Sequence, residues 1–141
     1  MMQWAPRDPV NGYGNGVFES TFSVQSNDYL DYHKLNTGYF RSLVDIYTKG
    51  QFGSFSHLSV GLENSYSFEK YGFEYRKQIE VLVDKQRLGQ LRIVTMKDFA
   101  SWYSQSFPDL SPQHLIIADD PLSTGKKAIW FMNPYYRAGL F

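Results

Sequence analysis

Apolar and polar positions alternate over residues 17–24. Phe18, Phe22 and Val24 stand against Glu19, Thr21 and Ser23, which predicts a strand with one apolar face. Ser26, Asn27 and Asp28 close it. Over residues 37–49 the period changes: Tyr39, Phe40, Leu43, Ile46 and Tyr47 recur at helical spacing, and Gly50 stands where a C-terminal helix glycine belongs. Residues 55–63 alternate again, with Ser56, Leu58, Val60 and Leu62 on one face and Phe55, His57, Ser59, Gly61 and Glu63 on the other. Ser67 is placed to cap a second helix with the stripe Phe68, Tyr71, Tyr75, Ile79, Leu82 and Gln86, and Gly89 lies beyond its end. Residues 91–94 predict a third strand. Thr95, with Asp98 three residues on, reads as a capping box for a helix carrying Met96, Phe99, Ala100, Tyr103 and Phe107, which Pro108 stops.

Toward the end the rhythm changes. Residues 114–118 and 127–133 are strand-like runs separated by a turn-rich stretch, Asp119 to Lys126, suited to joining an antiparallel pair. Residues 1–16, with Pro6, Pro9, Gly12, Gly14 and Gly16, predict an irregular arm. The order β-α-β-α-β-α followed by a hairpin predicts an α/β fold: a partial, barrel-like parallel sheet with right-handed crossovers and a C-terminal antiparallel hairpin. In that arrangement residues 55–62 and 90–95 are neighbouring parallel strands joined by the long helix between them. The expected organisation is one domain over residues 1–141, divided into the arm (1–16), the βα units (17–107) and the hairpin with its tail (108–141).

Composition narrows the function classes. Fourteen Lys and Arg balance fourteen Asp and Glu, with neither sign concentrated, so nucleic acid and anionic membrane surfaces are not expected partners. No apolar run approaches the roughly 20 residues that span a bilayer. The N-terminal residues lack the charged and apolar regions of an export signal. The absence of cysteine removes disulfides, thiolate nucleophiles and cysteine zinc sites, and leaves the compartment open. His33, His57 and His114 lack short metal spacing, there is no phosphate-loop glycine pattern after a strand and no Gly-x-Ser-x-Gly elbow, and Asp119-Asp120 reads as an exposed turn. Neither a metal nor a cofactor is expected. Aromatic residues make up 18% of the chain, enough to build a core of large rings and to supply flat faces for sugars.

In parallel α/β sheets ligands meet the carboxyl ends of strands, which singles out Glu63. On the predicted strand it shares a polar face with His57 and Ser59, and Asp28 is the carboxylate best placed to face it as acid, base or nucleophile. The plainer reading is that Glu63 and Asn64 open the loop before the Ser67-capped helix.

The stretch His57-Leu-Ser-Val-Gly-Leu-Glu-Asn64, the long helix after it, Val94-Thr-Met-Lys-Asp-Phe-Ala-Ser-Trp-Tyr103 and Ile129-Trp-Phe-Met-Asn-Pro-Tyr-Tyr-Arg137 together resemble the C-terminal part of a polysaccharide-deacetylase-like or related glycoside-hydrolase (β/α) barrel. The resemblance covers about residues 36–141. It implies a carbohydrate-related domain in which Glu63 lines a saccharide cleft with Asn64, His57 and Trp102 nearby, and a saccharide or polysaccharide as ligand. The deacetylase metal motifs, Thr-Phe-Asp-Asp and His-x-x-x-His, do not occur, so no metal-dependent deacetylation carries over. Three βα units cannot close a barrel, and the remainder of a longer barrel or a second copy would be needed to cover the open edge. The alternative is a non-catalytic binding or assembly module with an aromatic partner surface.

Overall fold

The computed structural model describes residues 6–14 and 16–141. Within the expected arm, residues 1–5 and 15 therefore lie outside the described residues. A short helix α1 (Val17–Ser20) and one π-helical turn (Asp28–Tyr32) precede α2 (Thr37–Lys49), β1 (Gln51–Gly53), α3 (Phe68–Arg87), α4 (Met96–Ser106), β2 (His114–Asp119), β3 (Lys127–Met132) and β4 (Arg137–Leu140). The four strands form one sheet in the order β1-β2-β3-β4, and every neighbouring pair is antiparallel.

The three long helices fall on the segments with helical period, and their ends follow from local chemistry. Asn36 accepts a hydrogen bond from the Gly38 N–H at 2.8 Å and starts α2. At the far end Gly50 is needed for space: a Cβ there would come within 2.6 Å of the Ile117 carbonyl oxygen, where helix end and sheet meet. Thr95 accepts from the Asp98 N–H at 3.1 Å, and its hydroxyl donates to the Asp98 carboxylate at 2.7 Å, so this pair is a helix cap.

The parallel sheet expected from residues 17–24, 55–63 and 91–94 is overturned. Residues 17–20 are helical, which the i, i+4 spacing of Phe18 and Phe22 also allows, and only Ser23 makes a bridge, to Arg7. Residues 55–62 and 91–94 belong to no strand or helix, and neither segment pairs with the other or with the sheet. The alternation that suggested strands is not matched by burial, since residues 57–63 are half-buried on both sides and residues 92–94 are exposed, and a periodic sequence does not by itself supply a ladder partner. Amide hydrogen exchange should separate the two kinds of segment: the N–H groups of Leu58 and Val60 are expected to exchange at least about a hundredfold faster than those within β2 and β3. Equal protection would mean that these segments are paired in solution.

Two apolar clusters flank α2. Tyr39, Phe40, Leu43 and Val44 pack with Val24, Tyr29 and Val81 on one side. On the other, Tyr47 meets the inward face of the sheet, where Ile116 lies opposite Trp130 and Ala118 opposite Ala128. Residues 6–14 form no helix or strand beyond the Arg7 bridge, yet they are fastened to the rest. Asp8 N–H donates to the Phe22 carbonyl at 2.8 Å, the Tyr47 hydroxyl to the Arg7 carbonyl at 2.6 Å and the Trp130 indole to the Pro9 carbonyl at 2.7 Å.

The buried side of α3 takes in only part of the apolar stripe of the sequence, Tyr71 and, partly, Leu82. Tyr71, Gly72, Glu74, Gln78, Val81 and Lys85 are buried, whereas Phe68 is 54% and Ile79 39% exposed. The polar members find partners: Tyr29 and Thr37 hydroxyls donate to Glu74 at 3.0 and 2.7 Å, Gln78 donates to the Val24 carbonyl and the Tyr29 hydroxyl, and Lys85 meets Asp45 at 2.6 Å. Among the described residues no helix is long and apolar enough to cross a membrane.

Candidate functional site

The inward face of the sheet continues past the core into an open cleft of about 690 Å³. Strand alternation builds its floor. His114 and Ile116 on β2, Trp130 and Met132 on β3 and Arg137 on β4 share one face, and the register sets Arg137 opposite Met132 and Gly139 opposite Trp130. Gly139 is the small residue this floor requires, because a Cβ there would stand 2.7 Å from the Trp130 ring. Phe99, Ala100 and Tyr103 of α4 form one wall, with Phe55 and His57 from the extended segment beside them. Pro6, Pro9 and Tyr13 close the opposite side, and the 109–112 loop contributes Asp109, Leu110, Ser111 and Pro112.

Ring contacts hold these walls. Phe55 lies edge-on to Tyr103 at 5.7 Å and to His114 at 4.9 Å, while His57 stacks on Phe99 at 5.3 Å. Across the cleft Tyr13 leans on Trp130 at 4.7 Å. The Tyr103 hydroxyl donates to Ser111, tying α4 to the loop after it. Burial lowers the pKa of His57, and the neighbouring His114 lowers it further. Burial also lowers that of His114, opposed by a hydrogen bond to the Phe55 backbone. Both imidazoles are therefore mainly neutral at pH 7, and among the described residues lining the cleft the other charged side chains are Arg137 and Asp109.

The residues singled out in the sequence separate into two places. His57 lines this cleft and also a second cavity of about 490 Å³, bounded by residues 55–60 and 90–96 and by Ile79 and Leu82 of α3. Trp102 lines the second cavity and meets Phe55 edge-on at 5.2 Å. Glu63, Asp28 and Asn64 line neither. Glu63 accepts hydrogen bonds from the Gln25 amide at 3.2 Å and the Ser65 hydroxyl at 3.4 Å, its carbonyl accepts from Tyr66 N–H at 3.0 Å, and Asn64 is exposed in that turn. Asp28 is held by the Ser23 hydroxyl at 2.7 Å and the Asn27 amide at 2.8 Å. Its pKa is raised by burial and by the charge of Glu63, against the Ser23 hydrogen bond. The charge of Glu63 thus reaches Asp28, but neither residue lines the aromatic cleft.

Sequence reasoning missed Tyr13, Trp130, Arg137 and Asp109. The period-2 pattern of the hairpin does mark Trp130 as inward-facing; Tyr13 and Asp109 lie in segments without any period. Asp120, read as part of an exposed turn, is in fact buried. Burial pushes its carboxyl up, but hydrogen bonds from Thr124, the Leu122 N–H and Asn11 outweigh that and hold it below the usual range. Asp119 is exposed and pairs with Lys127 at 3.0 Å. Set against protein-family models, curated proteins and solved structures, the chain matches none.

Proposed function

We propose that this protein is a saccharide-binding module and that the aromatic cleft between the sheet and α4 is its binding site. The observation that carries this reading is the composition of the cleft. Its volume lies within the range of small-ligand sites, its walls present the rings of Tyr13, Phe55, Phe99 and Tyr103, and polar groups are spaced between them at Asp109, Ser111, His114, Asn133 and Arg137. Sugar rings have that duality: C–H faces that pack on aromatic planes and hydroxyls at the rim that pair with amides, carboxylates and hydroxyls. A binding role fits better than glycoside hydrolysis. That chemistry needs two carboxylates flanking one bond, and among the described residues lining the cleft Asp109 is the one carboxylate.

The test is titration with short oligosaccharides, followed by NMR shifts of the Trp130 indole and the Phe99 and Tyr103 rings. Saturable shifts at millimolar or lower ligand are expected, and Phe99→Ala should weaken binding about tenfold, the loss of one stacking face. Oligosaccharides that leave these signals unmoved, or bind Phe99→Ala as well as the natural chain, would refute the assignment of the cleft.

A further inference from the structure

We infer that the saccharide taken by this cleft carries a carboxylate, as a uronic acid does, and that the Arg137 guanidinium receives it. This rests on the saccharide reading above and specifies its ligand. Arg137 opens β4 on the inward face of the sheet, and its guanidinium carbon lies 4.9 Å from the centre of the Tyr13 ring and 5.1 Å from that of Trp130. The two rings pack on one another at 4.7 Å, so the guanidinium rests over their seam, which orients it and leaves N–H donors available to a planar acceptor. Trp130 is itself fixed by its bond to the Pro9 carbonyl, and Gly139 leaves room for its ring, so the arginine rests on a rigid support.

No carboxylate stands within ion-pair distance of Arg137 among the described residues, a feature it shares with several exposed Lys and Arg; what sets it apart is its place over the aromatic floor of the cleft. An arginine stacked on the cleft floor, solvent-exposed and with no acid of the described residues on its donors, is suited to a bidentate carboxylate from the ligand. Charge selects among anions. Among the described residues lining the cleft Arg137 is the one cation and Asp109 the one carboxylate, and the two histidines are mainly neutral at pH 7, so the arginine can meet a single carboxylate charge while the second charge of a phosphate dianion would find no cation and face Asp109.

The experiment compares trigalacturonate with its fully methyl-esterified form by calorimetric titration at low salt. The ester keeps the sugar and removes the charge. The acid is expected to bind about tenfold more tightly than the ester, with the preference shrinking as salt is added. Arg137→Met should abolish that preference while leaving the ester's affinity in place, and Arg137→Lys should restore part of it; melting curves of both variants check that the fold persists. Equal binding of acid and ester by the natural chain, or a preference that survives Arg137→Met, would overturn the carboxylate assignment and leave the saccharide site standing. Binding of neither form would remove both. Tighter binding of a sugar phosphate than of the uronate would overturn the choice of anion.

Discussion

Phe40→Ala is expected to lower the unfolding free energy by about 4 kcal/mol, and Phe99→Ala by about 1 kcal/mol or less. The two residues are the same type on two amphipathic helices, and only their surroundings differ. Phe40 is fully buried among Tyr29, Leu43, Val44 and Val81, so truncation leaves a cavity that rigid neighbours cannot fill. Phe99 belongs to α4, a helix with no buried residue, and its ring touches Phe55, His57, Trp102 and Tyr103 at the wall of an open cleft that water can enter. Urea unfolding of the two variants measures the contrast. Similar losses would mean that α4 is covered as fully as α2, and that the cleft is not open.

The same contrast explains how much of the fold was legible in the sequence. The helical period over residues 37–49, the Thr95 and Asp98 cap and the paired runs at residues 114–118 and 127–133 depend on neighbours within a turn or across a short hairpin. Local chemistry settles such features, and they stand in the structure. Residues 55–63 and 91–94 carry equally clear alternation. A strand, however, is a relation between two segments, and nothing in Leu58 or Val60 specifies a partner. A βα reading had to supply that partner by assumption.

The stripe on α3 failed for a different reason. Hydropathy places Phe68 and Ile79 inside and Glu74, Gln78 and Lys85 outside. The structure differs because Tyr29, Thr37 and Asp45, distant in sequence, supply hydrogen-bond or ion-pair partners for Glu74, the Gln78 amide N–H and Lys85. Ile79 lines the second cavity instead, and Leu82 borders that cavity while packing on the core. The cleft was illegible on similar grounds, since Tyr13, Phe55, Tyr103, Trp130 and Arg137 come from five separate segments that only the finished fold assembles.

Asp8→Ala is expected to cost about 3 kcal/mol at neutral pH, although the residue lies in a segment without regular structure. Its fully buried carboxylate accepts from the Val10 N–H at 2.8 Å, the Asn11 N–H at 3.2 Å, the Asn11 amide at 3.0 Å and the Tyr39 hydroxyl at 3.1 Å. Alanine leaves those donors without an acceptor in a dry site. It also frees Asn11, whose amide donates to Asp120 at 2.7 Å and so clips the N-terminal segment to the hairpin. The pH dependence tests the balance inside this cluster. Burial raises the pKa of Asp8 above its ordinary value of 3.8, and the four hydrogen bonds oppose but do not cancel that. A carboxyl whose pKa is higher in the folded state binds its proton more tightly there. Its contribution to stability is therefore full below about pH 4 and is lost as pH rises through the raised folded value. The alanine variant lacks this titration, so the stability gap between the natural chain and Asp8→Ala should be widest in acid and narrow toward neutrality. A gap that instead widened with rising pH, followed by urea unfolding between about pH 3 and 7, would show that the four donors hold Asp8 as an anion and outweigh its burial.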